Sequence, residues 1–210
     1  MILLKNERQV FYMKLWLKSA CVAFVLAVVY SMIPFGAVCS DLSRDVFRLH
    51  ILANSDSEAD QALKLQVRDK VLAYTENLYR QAKSKEEAEQ LTAAHIQDIA
   101  GVAASTLKEN NSTYSIRAEL VNMFFTTRHY EDFTLPSGNY DALRLTIGKG
   151  EGHNWWCVMY PSLCVSSPEE TDSRAKEALN DSEYDVVKNE TRQYKFFIIE
   201  VLEKIRSVFS

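Results

Sequence analysis

Residues 43–78 read SRDVFRLHILANSDSEADQALKLQVRDKVLAYTENL. Phe47, Leu49 and Ile51 alternate with Arg48 and His50, the period of a strand. Val46 and Leu52 are apolar on the other face, so that face is partly covered too. Asn54-Ser55-Asp56-Ser57 is a turn and helix-start cluster. After it, Ala59, Leu63, Val67, Val71, Tyr74 and Leu78 recur at steps of three and four, one apolar stripe on a helix of about 22 residues. Asp60, Lys64, Arg68 and Asp69 lie close together on that helix, spaced for ion pairs.

Ser84 and Glu87 form a capping box opening a second helix, whose stripe is Ala88, Leu91, His95, Ile99, Val102 and Thr106. Asn110-Asn111-Ser112 closes it, and the short connection between the helices predicts an antiparallel hairpin. Tyr114, Ile116, Ala118 and Leu120 then alternate as a strand, with a bulge or break expected near Asn122. Tyr140–Ile147 and Trp155–Tyr160 are further strands, separated by the turn Gly148-Lys149-Gly150-Glu151-Gly152. This order predicts an α+β domain: a mainly antiparallel sheet of about four strands with a helical hairpin on one face.

Working outward, residues 1–40 read as a signal peptide or N-terminal anchor. Lys5, Arg8, Lys14 and Lys18 precede a charge-free stretch over residues 20–35, which Pro34 is expected to end. If the leader is not cleaved, it supplies membrane contact. Residues 41–165 form the core domain. Residues 166–192 are a charged linker with one short helix near Glu169–Leu179. Residues 193–210 form an amphipathic helix with Tyr194, Phe197, Ile198, Val201, Ile205 and Val208 on its apolar stripe, packing on the core or on a partner. The net charge is −4, and the cationic leader leaves the body more acidic still. An acidic body excludes nucleic acid as the main partner.

Two clusters carry the unusual residues. One is Gly150–Cys164, GEGHNWWCVMYPSLC. Cys157 and Cys164 are close in the chain, and in an exported protein they suggest a disulfide. A rival reading makes Cys157 a nucleophile with His153 or His129 as base. Zinc on His153, Cys157, Cys164 and either His50 or His129 matches no compact module, so no metal and no cofactor is expected. The glycine-rich turn lacks the pattern of a phosphate loop. Trp155 and Trp156 must face opposite sides of their strand, and an exposed Trp is a typical binding residue. In the other cluster, Arg48 and His50 share one face of the first strand, and Asn54, Ser55 and Asp56 form the loop at its end, where sites usually lie.

RLHILANSDSEADQALKLQVRDKVL (Arg48–Leu72), GEGHNWWCVMYPSLC (Gly150–Cys164) and YKFFIIEVLEKI resemble the stage II sporulation protein R family of endospore-forming bacteria. The resemblance implies a secreted signalling protein, made in the forespore and exported into the space between forespore and mother-cell membranes. There it would activate a membrane-embedded aspartic protease of the mother cell, which cleaves the pro-form of an early sigma factor. The expected chain is therefore a non-enzymatic ligand. Its expected contact surface comprises Arg48, His50, Asn54 and Asp56 with His153, Asn154 and Trp155 or Trp156, and Asn54→Ala or Trp155→Ala is expected to leave secretion and folding intact but to abolish sigma-factor processing. The competing class is an exported cysteine or cell-wall hydrolase using Cys157 and His153.

Overall fold

A computed structural model of the chain describes residues 2–130, 133–164, 168–188 and 195–201. In chain order the elements are α1 (Ile2–Asp45), β1 (Phe47–Leu52), α2 (Glu58–Tyr79), α3 (Lys85–Ala94), α4 (Ile96–Glu109), β2 (Ile116–Phe125), β3 (Arg128–His129), β4 (Thr134–Leu135), β5 (Gly138–Ile147), β6 (Asn154–Tyr160), α5 (Pro168–Ala178) and α6 (Asp181–Lys188). The chain divides into two compact units, Met1–Ala37 and Val38–Ser210. The first unit is the larger part of α1, whose charged start is followed by an apolar stretch. From Tyr12 this helix is long and apolar enough to cross a membrane.

The second unit is the expected α+β body. Its four strands run in the order β2-β5-β1-β6, and β3 with β4 makes a separate small ladder. β2 pairs antiparallel with β5, and β6 antiparallel with β1, but the central pair β1 and β5 is parallel. Parallel strands need a long crossover, and here α2, α3, α4 and β2 supply it.

β1 is covered on both faces. Phe47, Leu49 and Ile51 meet Leu143, Leu145 and Cys157 on the helix side, under Leu63, Val67 and Val71 of α2 and Ile99, Ala103 and Leu107 of α4. Burying each such aliphatic side chain contributes about 1.5–3 kcal/mol. On the opposite face Val46, Tyr140, Ala142 and Val158 pack with Leu42, Phe125, Phe133, Leu135, Ala175, Leu179 and Val187.

Several elements differ from the sequence-based expectation. The second helix is two helices, broken at His95, whose backbone leaves helical geometry at φ −110° and whose Nδ1 lies 3.0 Å from the Asp98 carboxylate. A stripe at steps of three and four reads the same through a bend as through a straight helix. β2 runs unbroken through Asn122, whose amide donates to Asp141 at 2.8 Å. α1 continues past Pro34, and its last turns bury Cys39 and Leu42. The expected linker carries two helices among its described residues, and α6 buries Val186 and Val187 beneath its charges. Residues 195–201 are helical; Phe197 of the expected stripe is exposed and its neighbour Phe196 is buried. Tyr194, Ile205 and Val208 lie outside the described residues.

Candidate partner-binding corner

β5 and β6 flank β1, so the segment joining them must cross the end of β1, a gap of two strand spacings or about 10 Å. The backbone N–H groups of Gly152 and Glu151 donate to the carbonyls of Ala53 and Asn54 at 2.9 and 3.3 Å. The Asn54 side-chain oxygen accepts the N–H of Lys149 at 3.1 Å. Two glycines permit this crossing. Gly148 has φ +55°, and a Cβ there would lie 2.3 Å from the Asn54 oxygen; one at Gly152 would lie 2.2 Å from the Ser55 carbonyl.

Asp60 anchors the loop beneath. Its carboxylate accepts from Ser55 Oγ at 2.6 Å and from Asn54 Nδ2 at 2.9 Å. These bonds, Ser55's first, hold the Asp60 carboxyl below the usual carboxylate range. The Asp60 N–H donates to the N-cap hydroxyl of Ser57 at 3.2 Å, a cap worth about 1 kcal/mol. Lys64 does not pair with Asp60 as the spacing suggested. It is buried, donates to Gln61 at 2.5 Å and to the His153 carbonyl at 2.9 Å, and burial pulls its pKa down.

The outer layer is polar and open. Asp56 accepts the His153 N–H at 2.5 Å and also meets the His153 ring. The backbone bond first, then the ring, lowers the Asp56 pKa. His153 and Asp56 keep side-chain exposures of 80% and 55%, so both can touch a partner. Trp155 is half-buried on the helix side opposite Ile51, with the Arg68 guanidinium 4.3 Å from its ring centroid. Arg68 pairs with Asp69 at 2.7 Å.

The sequence-derived residues therefore fall in two places. Asn54, Asp56, His153 and Trp155 meet at this corner. Arg48, His50 and Trp156 lie on the opposite sheet face, and Asn154, exposed, shares the register row of Leu52 there. Arg48 is 0% exposed and His50 4%, so both sit beneath the surface. His50 stacks on Trp156. The Arg48 Nη2 donates to the Tyr130 hydroxyl at 2.7 Å, and its Cζ lies 4.1 Å from the Phe125 centroid and 4.9 Å from that of Tyr140. Desolvation lowers the Arg48 pKa. Ring contacts worth about 2 kcal/mol each when desolvated oppose a burial penalty of several kcal/mol.

Cys157 and Cys164 are paired, with Cα atoms 5.6 Å apart. Paired in this way and buried, Cys157 offers no thiolate for the hydrolase alternative. His153 precedes β6, four residues before Cys157, about 13 Å away along an extended chain. No cluster of potential metal ligands forms among the described residues. Sequence reasoning missed Asp60 and Lys64 as anchors of the corner, and Phe125, Arg128 and Tyr130 around Arg48. Asp60 lies in the first turn of α2, just past the helix-start cluster, and its spacing to Lys64 read as an ion pair and not as a loop anchor. Nothing in the stretch TTRHY announces that it packs over β1.

The model of the family described as stage II sporulation protein R matches residues 43–171, which takes in the β1–α2 loop and the 148–153 crossing together. The chain belongs to that family. It is similar to the stage II sporulation protein R of Bacillus subtilis (strain 168), at 38% identity over 117 residues, covering 56% of this chain and 52% of that protein. The chain thus spans about half the length of the curated relative it matches. No solved structure matches. In this member of the stage II sporulation protein R family, the corner is built by residues of both matched motifs.

Proposed function

We propose that the body is an exported signalling ligand that binds the outer face of a membrane-embedded aspartic protease of the mother cell and triggers processing of a sigma-factor precursor. The observation that carries this reading is the corner itself. A rigid clasp of Asn54, Asp60, Gly148 and Gly152 presents Asp56 and His153 to solvent in a member of the stage II sporulation protein R family. The action is contact without bond-making. A ligand shifts a receptor toward its active form in proportion to its differential affinity for the two states. The apolar stretch of α1 supports export, as signal or anchor. The space between forespore and mother-cell membranes is then its place of action, and the paired cysteines suit an oxidising compartment.

Co-expression of this chain, the protease and the precursor in a non-sporulating host tests the reading. Cleavage is expected only with all three present. Cleavage without the protease, or by this chain alone, contradicts it.

A further inference from the structure

Arg48 carries a buried charge that no carboxylate among the described residues neutralises. Its neighbour on the same sheet face shows the contrast: Arg144 pairs with Glu119 at 3.0 Å. Among the described residues, Arg48 has only the Tyr130 hydroxyl at 2.7 Å and a long contact to the Cys157 carbonyl at 3.5 Å as hydrogen-bond partners, and its Nη1 has none. A second cation lies beside it. Arg128 is half-buried, its guanidinium 5.1 Å from the Trp156 ring centroid, and its Nε is buried without a hydrogen-bond partner among the described residues. The two like charges act on each other, Arg128 helping to lower the Arg48 pKa. Buried N–H groups left open in this way are rare in folded proteins.

We propose that Arg48 and Arg128 form a receptor for a carboxylate, enclosed by Phe125, Tyr140 and Trp156. Two open N–H positions suit the two oxygens of a single carboxylate, the usual partner of guanidinium groups. The aromatic walls exclude water and strengthen the charge pairing. Arg128, half-buried, marks the approach. The carboxylate belongs either to an acidic side chain of a protein partner or to a free small acid. This site is separate from the Asp56–His153 corner and does not depend on it.

The test uses the full chain in non-ionic detergent, isotope-labelled at arginine, with nuclear magnetic resonance following the guanidinium N–H signals. Sodium acetate and the peptide acetyl-Gly-Glu-Gly-amide are titrated at constant ionic strength, with acetyl-Gly-Gln-Gly-amide as the uncharged control. Saturable shifts of the Arg48 and Arg128 signals are expected with the carboxylate probes and not with the control. Arg48→Met and Arg128→Gln should each weaken binding by about tenfold or more, and Arg144→Gln should not. If Arg48→Met does not fold, Arg128→Gln at its half-buried position carries the comparison. Tighter binding of the peptide than of acetate assigns the site to a protein-borne carboxylate, and the reverse to a free acid. No saturable shift with either probe, or equal binding by the Arg128→Gln protein, overturns the proposal.

Discussion

The imidazole of His50 lies flat on the indole of Trp156, with ring centroids 3.9 Å apart and planes 4° from parallel. Burial holds the His50 pKa down to about 4, against an ordinary value of 6.5. The folded protein therefore refuses a proton that the unfolded chain accepts. Stability should fall as pH drops from 6.5 to 4, by about 3 kcal/mol from this group. His50→Phe keeps an aromatic stack without a titrating ring. Urea unfolding across that pH range should show the slope in the wild type and its loss in the variant.

The Cys157–Cys164 link ties β6 to the segment after Pro161. Cys157→Ser and Cys164→Ser should each cost about 2–5 kcal/mol in denaturant unfolding. The two losses should match, and reductant should reproduce them in the wild type. A nucleophilic role for Cys157 would instead separate the two variants.

Asn54 is engaged inside the clasp, bonded to Asp60 and to the Lys149 N–H. Asn54→Ala should therefore destabilise the protein by about 1–3 kcal/mol, in place of the silent folding expected from sequence. Gly152→Ala forces a Cβ against the Ser55 carbonyl and should cost about 1–3 kcal/mol. His153→Ala and Asp56→Ala, at exposed positions, should stay within about 0.5 kcal/mol of wild type. Thermal unfolding of the four variants checks this division.

Arg48→Met replaces a buried cation, without a carboxylate partner among the described residues, by an apolar chain of similar length. It should leave stability unchanged or raise it by about 1–4 kcal/mol. A clear loss in urea unfolding would mean that the Phe125, Tyr140 and Tyr130 contacts outweigh the desolvation of the guanidinium.

β1, α2 and β6 were legible because alternation in FRLHIL and the stripe from Leu63 to Val71 are local signals. The parallel pairing of β1 with β5 was not, because partner choice depends on contacts distant in sequence. The same limit hid the bend at His95 and the burial of Arg48. A cation alternating with Phe47 and Leu49 reads as the solvent face until Phe125, Tyr130 and Tyr140 are seen to cover it. The corner was half legible. Asn54, Asp56 and His153 were singled out, but their joining required the 148–153 segment to pass over the end of β1 rather than turn back beside it.

The most direct test is the affinity of the exported chain for the detergent-solubilised membrane protease, comparing wild type with the Asp56→Ala, His153→Ala double variant. Saturable binding by the wild type, weakened about tenfold or more in a variant of unchanged thermal stability, is the predicted result. Equal binding by the two proteins, or none by the wild type, would contradict signalling through the Asp56–His153 corner.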